Sequence, residues 1–146
     1  MPDGATHILV QVILNKTINE NKLIPYLLFG AVAPDLFKAV SRIISPQYEW
    51  FFHPTHSPIF MLMTFYAISL LFHQSERILL IKGSMIGMVI HLLLDLTQIN
   101  YGGGNYMPFF PFSFHSVSFG LIKTESSIYW LPVTIALTVL ILKINK

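Results

Sequence analysis

The segment His91-Leu-Leu-Leu-Asp95 carries the clearest chemical signal of the sequence. A spacing of four residues places both side chains on one face of a helix, about one turn apart, so that they can reach the same metal ion. Asp95 stands between leucines, where a carboxylate is costly to bury unless it is paired or binds a cation. The pattern predicts a metal site, with a structural His–Asp hydrogen bond or salt bridge as the alternative.

A second group of possible ligands is the histidine pair His53 and His56, separated only by Pro-Thr. The pair is followed directly by Ser57-Pro58, a combination typical of a helix start. Imidazoles on a structured loop suit zinc or a similar transition ion. We therefore expect this loop to present metal ligands at the beginning of a helix.

Two further residues, Asp35 and His7, are weaker candidates when each is taken alone. Asp35 follows Gly-Ala-Val-Ala-Pro, and a turn there could direct its carboxylate into the interior. The alternative is an ordinary acidic residue that stabilises a helix N-terminus. A lone histidine on an apolar helix, such as His7, is more often a core residue than a ligand. His73 and His115 give still weaker signals.

The composition limits the class of protein that can carry these residues. Of 146 residues, 53% are hydrophobic and only 11% are charged, against roughly 25% charged in an ordinary soluble domain. We expect a single domain over residues 1–146. The lack of cysteine excludes disulfides and thiolate ligands. The net charge of +2, without a basic stripe, gives no indication of nucleic acid as a partner.

The hydrophobic periodicity predicts an all-α protein, a compact bundle of about five to six helices. The first helix is expected over residues 6–15, with an apolar stripe of Ile8, Leu9, Val12 and Ile13. Because proline lacks a backbone N–H, Pro34 should end a second helix and open a third. The predicted helices are 6–15, 23–33, 35–44, 58–73, 76–98 and one that begins at Ser127.

Three long stretches without Asp, Glu, Lys or Arg indicate a membrane protein; they are residues 50–75, 96–122 and 126–142. The apolar runs within them are shorter than the roughly 20 residues that cross a bilayer upright. The last run begins with Tyr129-Trp130 and ends at Lys143, an arrangement typical of membrane interfaces. We therefore predict a membrane helix over 127–144. The alternative is a small helical protein whose apolar helices are buried.

Taken together, the motifs resemble those of the inner-membrane-associated, metal-dependent hydrolases. The resemblance spans about residues 5 to 115 and includes a glycine-rich turn after Asp95. The order of ligands is more distantly similar to that of zinc-dependent phospholipase C and the S1/P1 nucleases, all-helical enzymes that hydrolyse phosphoesters. The motifs that carry the resemblance are Thr6-His7, Gly30-Ala-x-Ala-Pro-Asp35, Thr55-His56-Ser57, His91-x-x-x-Asp95 and residues 108–112.

The resemblance implies that Asp35, His56, His91 and Asp95 surround one divalent metal ion, most readily zinc. Asp95 would bridge to a second ion held partly by His7, with His53 as an additional ligand, so that one or two ions are expected. Asp35 or Asp95 would orient or deprotonate a metal-activated water.

The function expected from these features is hydrolysis of a phosphoester, from a membrane lipid or a small molecule, at the inner or cytoplasmic membrane. The competing hypothesis is a non-enzymatic helical membrane protein in which the His/Asp cluster is a structural or metal-handling site. A structural site would be closed by four protein ligands, whereas a catalytic site leaves room for water.

Overall fold

A computed structural model describes residues 4–18, 21–44, 47, 54–99, 106–123 and 127–144, and these residues are mostly helical. A short 3-10 helix, Asn21–Leu23, lies between the first two α-helices. Two strands of two residues each pair in parallel, Gln98 with Ile122 and Ile99 with Lys123. Within the described ranges the helices are α1 Gly4–Ile18, α2 Ile24–Ile44, α3 Pro58–Ser69, α4 Gln74–Leu96 and α5 Ser127–Ile144; the strands are β1 Gln98–Ile99 and β2 Ile122–Lys123.

Helix α2 differs from the sequence-based prediction, because it continues through Pro34 instead of ending there. Proline removes one helical hydrogen bond, but a single lost bond does not end a helix that packs tightly on its neighbour. The predicted helices 23–33 and 35–44 are therefore one element. Asp35 consequently lies in the middle of α2, and its predicted position at a helix start is wrong.

Small residues bring α2 and α4 into close contact. A Cβ atom on Gly30 would collide with the backbone carbonyl of Ser84, and one on Gly87 would collide with the carbonyl of Leu27. At Gly83 the added atom would lie 2.6 Å from Cβ of Tyr26. Without these side chains the two backbones approach closely, as they do at small-residue contacts between membrane helices. This approach sets the distance between the functional residues of α2 and α4.

The other helix predictions agree with the structure within a few residues at most ends. Ser57 is the residue before α3, as predicted, although α3 ends at Ser69, earlier than expected. Helix α4 matches the predicted 76–98, and His73 precedes its first turn instead of closing α3. The apolar core joins α2, α3 and α4 through Ala33, Met61, Phe65, Leu80, Met88, Leu92 and Leu96.

Helix α1 buries polar residues instead of its apolar stripe, which corrects the expectation for this helix. His7 and Gln11 are each 1% exposed and Asn15 is 6% exposed, whereas Ile8 of the apolar stripe is 39% exposed. These three polar residues recur every four positions and therefore form one face of the helix. Polar side chains that face the bundle interior, with apolar ones outside, are typical of helices surrounded by lipid.

Among the described residues, α4 is the helix long and apolar enough to cross a membrane. The part of α5 from Leu131 to Lys143 is apolar but shorter. The membrane helix predicted over 127–144 therefore coincides with an observed helix, and its insertion stays a prediction. Large apolar side chains are exposed on the outer faces of α3 and α5, including Leu62, Met63, Tyr66, Val133, Ile135, Leu137, Val139 and Leu140.

Candidate metal centre

His91 is fixed in place between α4 and α2. Its Nδ1 lies 2.6 Å from the backbone oxygen of Ala31, and because a carbonyl can only accept, the imidazole donates through Nδ1. In the neutral ring Nε2 then carries the lone pair. This Nε2 lies 3.2 Å from Oδ2 of Asp95. The predicted i, i+4 pair therefore shares one helix face, with a lone pair of His91 directed toward the carboxylate.

Asp95 occupies the middle of the cluster and is fully buried. Its Oδ2 also lies 3.5 Å from Nε2 of His56. Its other oxygen, Oδ1, lies 3.5 Å from Nε2 of His7 on α1. The imidazole of His7 stacks on that of His91, with ring centroids 4.0 Å apart. The two carboxylate oxygens thus face different histidines, a geometry in which Asp95 can bridge two cations.

Asp35 completes the cluster from α2 on its more open side. Its Oδ1 lies 3.5 Å from Nε2 of His56 and 3.9 Å from Nε2 of His91. The Asp35 side chain is 22% exposed, whereas those of His56, His91 and Asp95 are at most 1% exposed. Of these four side chains, that of Asp35 therefore lies nearest the surface.

His56 is held by the short turn before α3. Its Nδ1 lies 3.2 Å from the hydroxyl of Thr55, and its ring packs against Tyr106, with centroids 5.0 Å apart. Burial lowers the pKa of the His56 imidazole, and the opposing effect of the carboxylates of Asp35 and Asp95 does not reverse this shift. A histidine kept neutral in this way presents the form that binds a metal ion.

The donor atoms of this cluster fit a divalent cation. One ligand atom from each of Asp35, His56, His91 and Asp95 lies within 4.8 Å of the others. Ligand atoms around a tetrahedral zinc ion lie about 3.4 Å apart, so side-chain rotations that bring the most distant atoms together by about 1.4 Å would form a bound site. Oδ1 of Asp35, Nε2 of His56 and His91 and both carboxylate oxygens of Asp95 are buried and make no hydrogen bond within the described part of the chain. Such atoms are costly to bury without a partner, and a cation would satisfy them together.

The structure thus brings together five of the predicted ligands, His7, Asp35, His56, His91 and Asp95, from four separate segments. Their role in binding metal stays a prediction. His53 lies outside the described residues. His73 and His115 are exposed and are not part of the cluster described above.

Three neighbours of the cluster were not singled out from the sequence. Tyr106 is 2% exposed and covers His56, and the ammonium of the buried Lys38 lies 5.8 Å from the centre of the Tyr106 ring. Gln11 lies on the buried face of α1, one turn after His7. Helical spacing could have identified two of them from the sequence. Lys38 follows Asp35 by three residues and Gln11 follows His7 by four, and residues at these spacings are neighbours on a helix.

Comparison with known proteins places the chain in a family. Residues 3–146 match the family described as YdjM inner membrane protein. No curated protein and no solved structure matched the chain, so the resemblance to phospholipase C and the S1/P1 nucleases stays a prediction. The family match covers nearly the whole sequence and agrees with the membrane location that the composition predicted. The chain therefore belongs to the YdjM inner membrane protein family and is a membrane protein.

Proposed function

We propose that this protein is a metal-dependent hydrolase of the membrane that cleaves a phosphoester. The observation that carries the proposal is the convergence of Asp35, His56, His91 and Asp95, whose donor atoms are buried, unpartnered and within 4.8 Å of one another. Nitrogen and oxygen donors of this kind suit zinc best among the common divalent ions. One or two ions would be held, and His7 and Asp95 are the residues that would hold the second.

A bound divalent ion would supply Lewis-acid polarisation of a phosphoryl oxygen and lower the pKa of a water molecule from about 15.7 to about 7. The two carboxylates differ in exposure, and this difference indicates that one holds the ion and the other acts on the water. Asp95 is buried among three imidazoles and would hold the centre together. Asp35 lies on the accessible side, where its carboxylate can orient a water molecule and accept its proton.

An anionic substrate is supported by Lys38, which is 5% exposed. Its ammonium lies over the ring of Tyr106, and Tyr106 packs on His56. A positive group beside a cluster of carboxylates offsets their charge and favours the approach of a phosphate group. The proposed site thus combines a possible cation-binding centre with a neighbouring basic side chain, and this combination would favour binding of a phosphoester.

A lipid substrate is supported by the segment 106–123, which connects the cluster to the molecular surface. Tyr106 at its start contacts His56, and the hydroxyl of Ser57 donates to the carbonyl of Phe110 over 2.7 Å. Large apolar side chains of the same segment are exposed: Phe109, Phe112, Phe114, Phe119 and Leu121. In a membrane protein such a segment can lie among the lipid headgroups, so that an amphiphilic substrate reaches the site from the bilayer.

Replacing Phe112 and Phe114 by serine tests this route. These side chains are 84% and 69% exposed, so the double variant should fold normally. We expect hydrolysis of phospholipid in vesicles to fall several-fold, because each aromatic ring favours the interface by about 1 kcal/mol or more. Hydrolysis of a water-soluble phosphodiester should stay unchanged. Equal rates for wild type and variant on vesicles would contradict entry from the bilayer.

The proposal as a whole is tested by metal content and activity of the purified protein. Wild type in detergent should carry about one or two divalent ions per chain and release phosphate or alcohol from phosphoesters in a reaction that a chelator stops and zinc or manganese restores. Protein that binds no ion after reconstitution would overturn the proposal. Tightly bound metal without any hydrolysis over a broad phosphoester panel would instead favour a structural or metal-handling site.

A further inference from the structure

The buried face of α1 contains several unpartnered polar atoms, of which the proposed hydrolysis uses only Nε2 of His7. His7, Gln11 and Asn15 follow one another at intervals of four residues. Both ring nitrogens of His7 and the side-chain oxygens of Gln11 and Asn15 are buried without a hydrogen-bond partner. Each such atom destabilises the fold if it stays unpaired. A set of them on one face therefore calls for a functional explanation.

The orientation of Gln11 is fixed by the neighbouring helix. Its Nε2 lies 3.0 Å from the carbonyl oxygen of Gly87 on α4 and donates to it. Because only the amide nitrogen can donate to a carbonyl, this contact identifies which end of the Gln11 amide is the nitrogen. The other end, Oε1, can only accept a hydrogen bond. The contact also defines how α1 and α4 run: His7 meets His91 and Gln11 meets Gly87, so the helices are antiparallel.

His7 needs an acceptor of this kind if it binds a metal ion. Its Nε2 faces Oδ1 of Asp95 at 3.5 Å, and a neutral imidazole that coordinates through Nε2 keeps its proton on Nδ1. Metal-binding histidines almost always donate that second N–H to an oxygen. His91 uses Ala31 for this purpose, and His56 lies against Thr55. For His7 the described structure shows no such partner at Nδ1.

We propose that Gln11 is the positioning residue of His7. Its Oε1 would accept the Nδ1–H of His7 through one water molecule, or directly after a rotation of the side chain, since the two atoms are not hydrogen-bonded to each other in the structure. This contact would direct Nε2 toward an ion held by Asp95. The side chains are neighbours because residues four apart share a helix face, and helical side chains lean toward the N-terminus, which brings Gln11 toward His7. This inference rests on the proposed metal centre and adds a residue that the chemistry itself does not touch.

The test compares metal affinities of purified variants by competition with a chromophoric chelator. Gln11→Leu removes the acceptor and keeps a side chain of similar volume. Asn15→Leu is the matched control, since Asn15 has the same kind of buried amide oxygen one turn further from the site. We expect Gln11→Leu to weaken binding of the ion that depends on His7 by about 10–100-fold. Asn15→Leu should leave the affinity unchanged.

A double variant separates positioning from a general effect on the fold. In a His7→Ala background Gln11→Leu should cause no further loss of affinity, because the group that it positions is gone. Nitrogen-15 spectra of labelled histidine give a second measurement: metal-loaded wild type should show His7 protonated at Nδ1, and Gln11→Leu should shift that signal. Both variants should remain helical by circular dichroism.

Three results would overturn the inference. Equal affinities for Gln11→Leu and wild type would show that His7 needs no help from Gln11, while the metal centre itself would stand. An undiminished effect of Gln11→Leu in the His7→Ala background would show that Gln11 acts elsewhere. Wild type that binds no ion, or whose affinity does not respond to His7→Ala, would remove the ligand that Gln11 is proposed to position.

Discussion

Asp95→Asn should abolish metal binding and hydrolysis together. The carboxylate of Asp95 lies within 3.5 Å of three imidazole nitrogens, more than any other member of the cluster contacts. Zinc sites with four ligands contribute about 10–16 kcal/mol, so an average ligand supplies about 3 kcal/mol, equivalent to roughly a hundredfold in affinity. We expect at least that loss, measured as metal content by mass spectrometry after dialysis, and phosphoesterase activity at background.

The matched control for this variant is Glu76→Gln. It removes one negative charge by the same chemical change at the opposite end of α4, on an exposed residue in the first turn. Its metal content and activity should equal those of wild type. Circular dichroism should show that Asp95→Asn remains helical. A helical Asp95→Asn protein that keeps its full metal content would contradict the assignment of Asp95 as a ligand.

The separation of four residues between His91 and Asp95 was enough to predict that these two side chains lie together on one face of α4. Helical spacing determines which side chains share a face, and the cost of burying a carboxylate among leucines indicates that it has a partner. The sequence also predicted that His56 would precede a helix at Ser57-Pro58. That Asp35, His56 and His7 meet the His91–Asp95 pair depended on the family resemblance, because local patterns do not specify contacts between helices.

The errors in the fold prediction have a common physical origin in the contacts between helices. Pro34 does not end α2, since close packing on α4 through Gly30 and Gly87 outweighs one missing hydrogen bond. The apolar stripe of α1 was assumed to face a core, as it would in water. In this membrane protein the polar residues His7 and Gln11 face inward instead. Because of the same reversal, the sequence pattern did not predict Gln11 as a functional residue.

The two carboxylates of the site differ in ways that predict different roles. Asp95 is completely buried, and both of its oxygens face imidazoles. Asp35 is 22% exposed, and among the residues that the structure describes only its Oδ1 lies within 4 Å of histidine nitrogens. A buried carboxylate surrounded by ligands contributes mainly to holding the ion. A carboxylate at the accessible side can also exchange a proton with a water molecule that attacks the substrate.

Asp35→Asn should therefore separate catalysis from metal binding. The contacts of Asp35 with the described histidines are made by Oδ1, so a single amide oxygen can take its place, whereas Asp95 presents both oxygens and an amide replaces only one of them. Metal content should therefore stay near that of wild type in Asp35→Asn, but the amide cannot accept the proton of an attacking water. General bases contribute about 10²–10⁴-fold to rates, and we expect kcat for a soluble phosphodiester to fall by that factor with little change in KM. Steady-state kinetics on samples of matched metal content measure the change in kcat and KM.

An Asp35→Asn protein with wild-type kcat would show that Asp35 is not the base. Parallel loss of metal and kcat would show that Asp35 is chiefly a metal ligand.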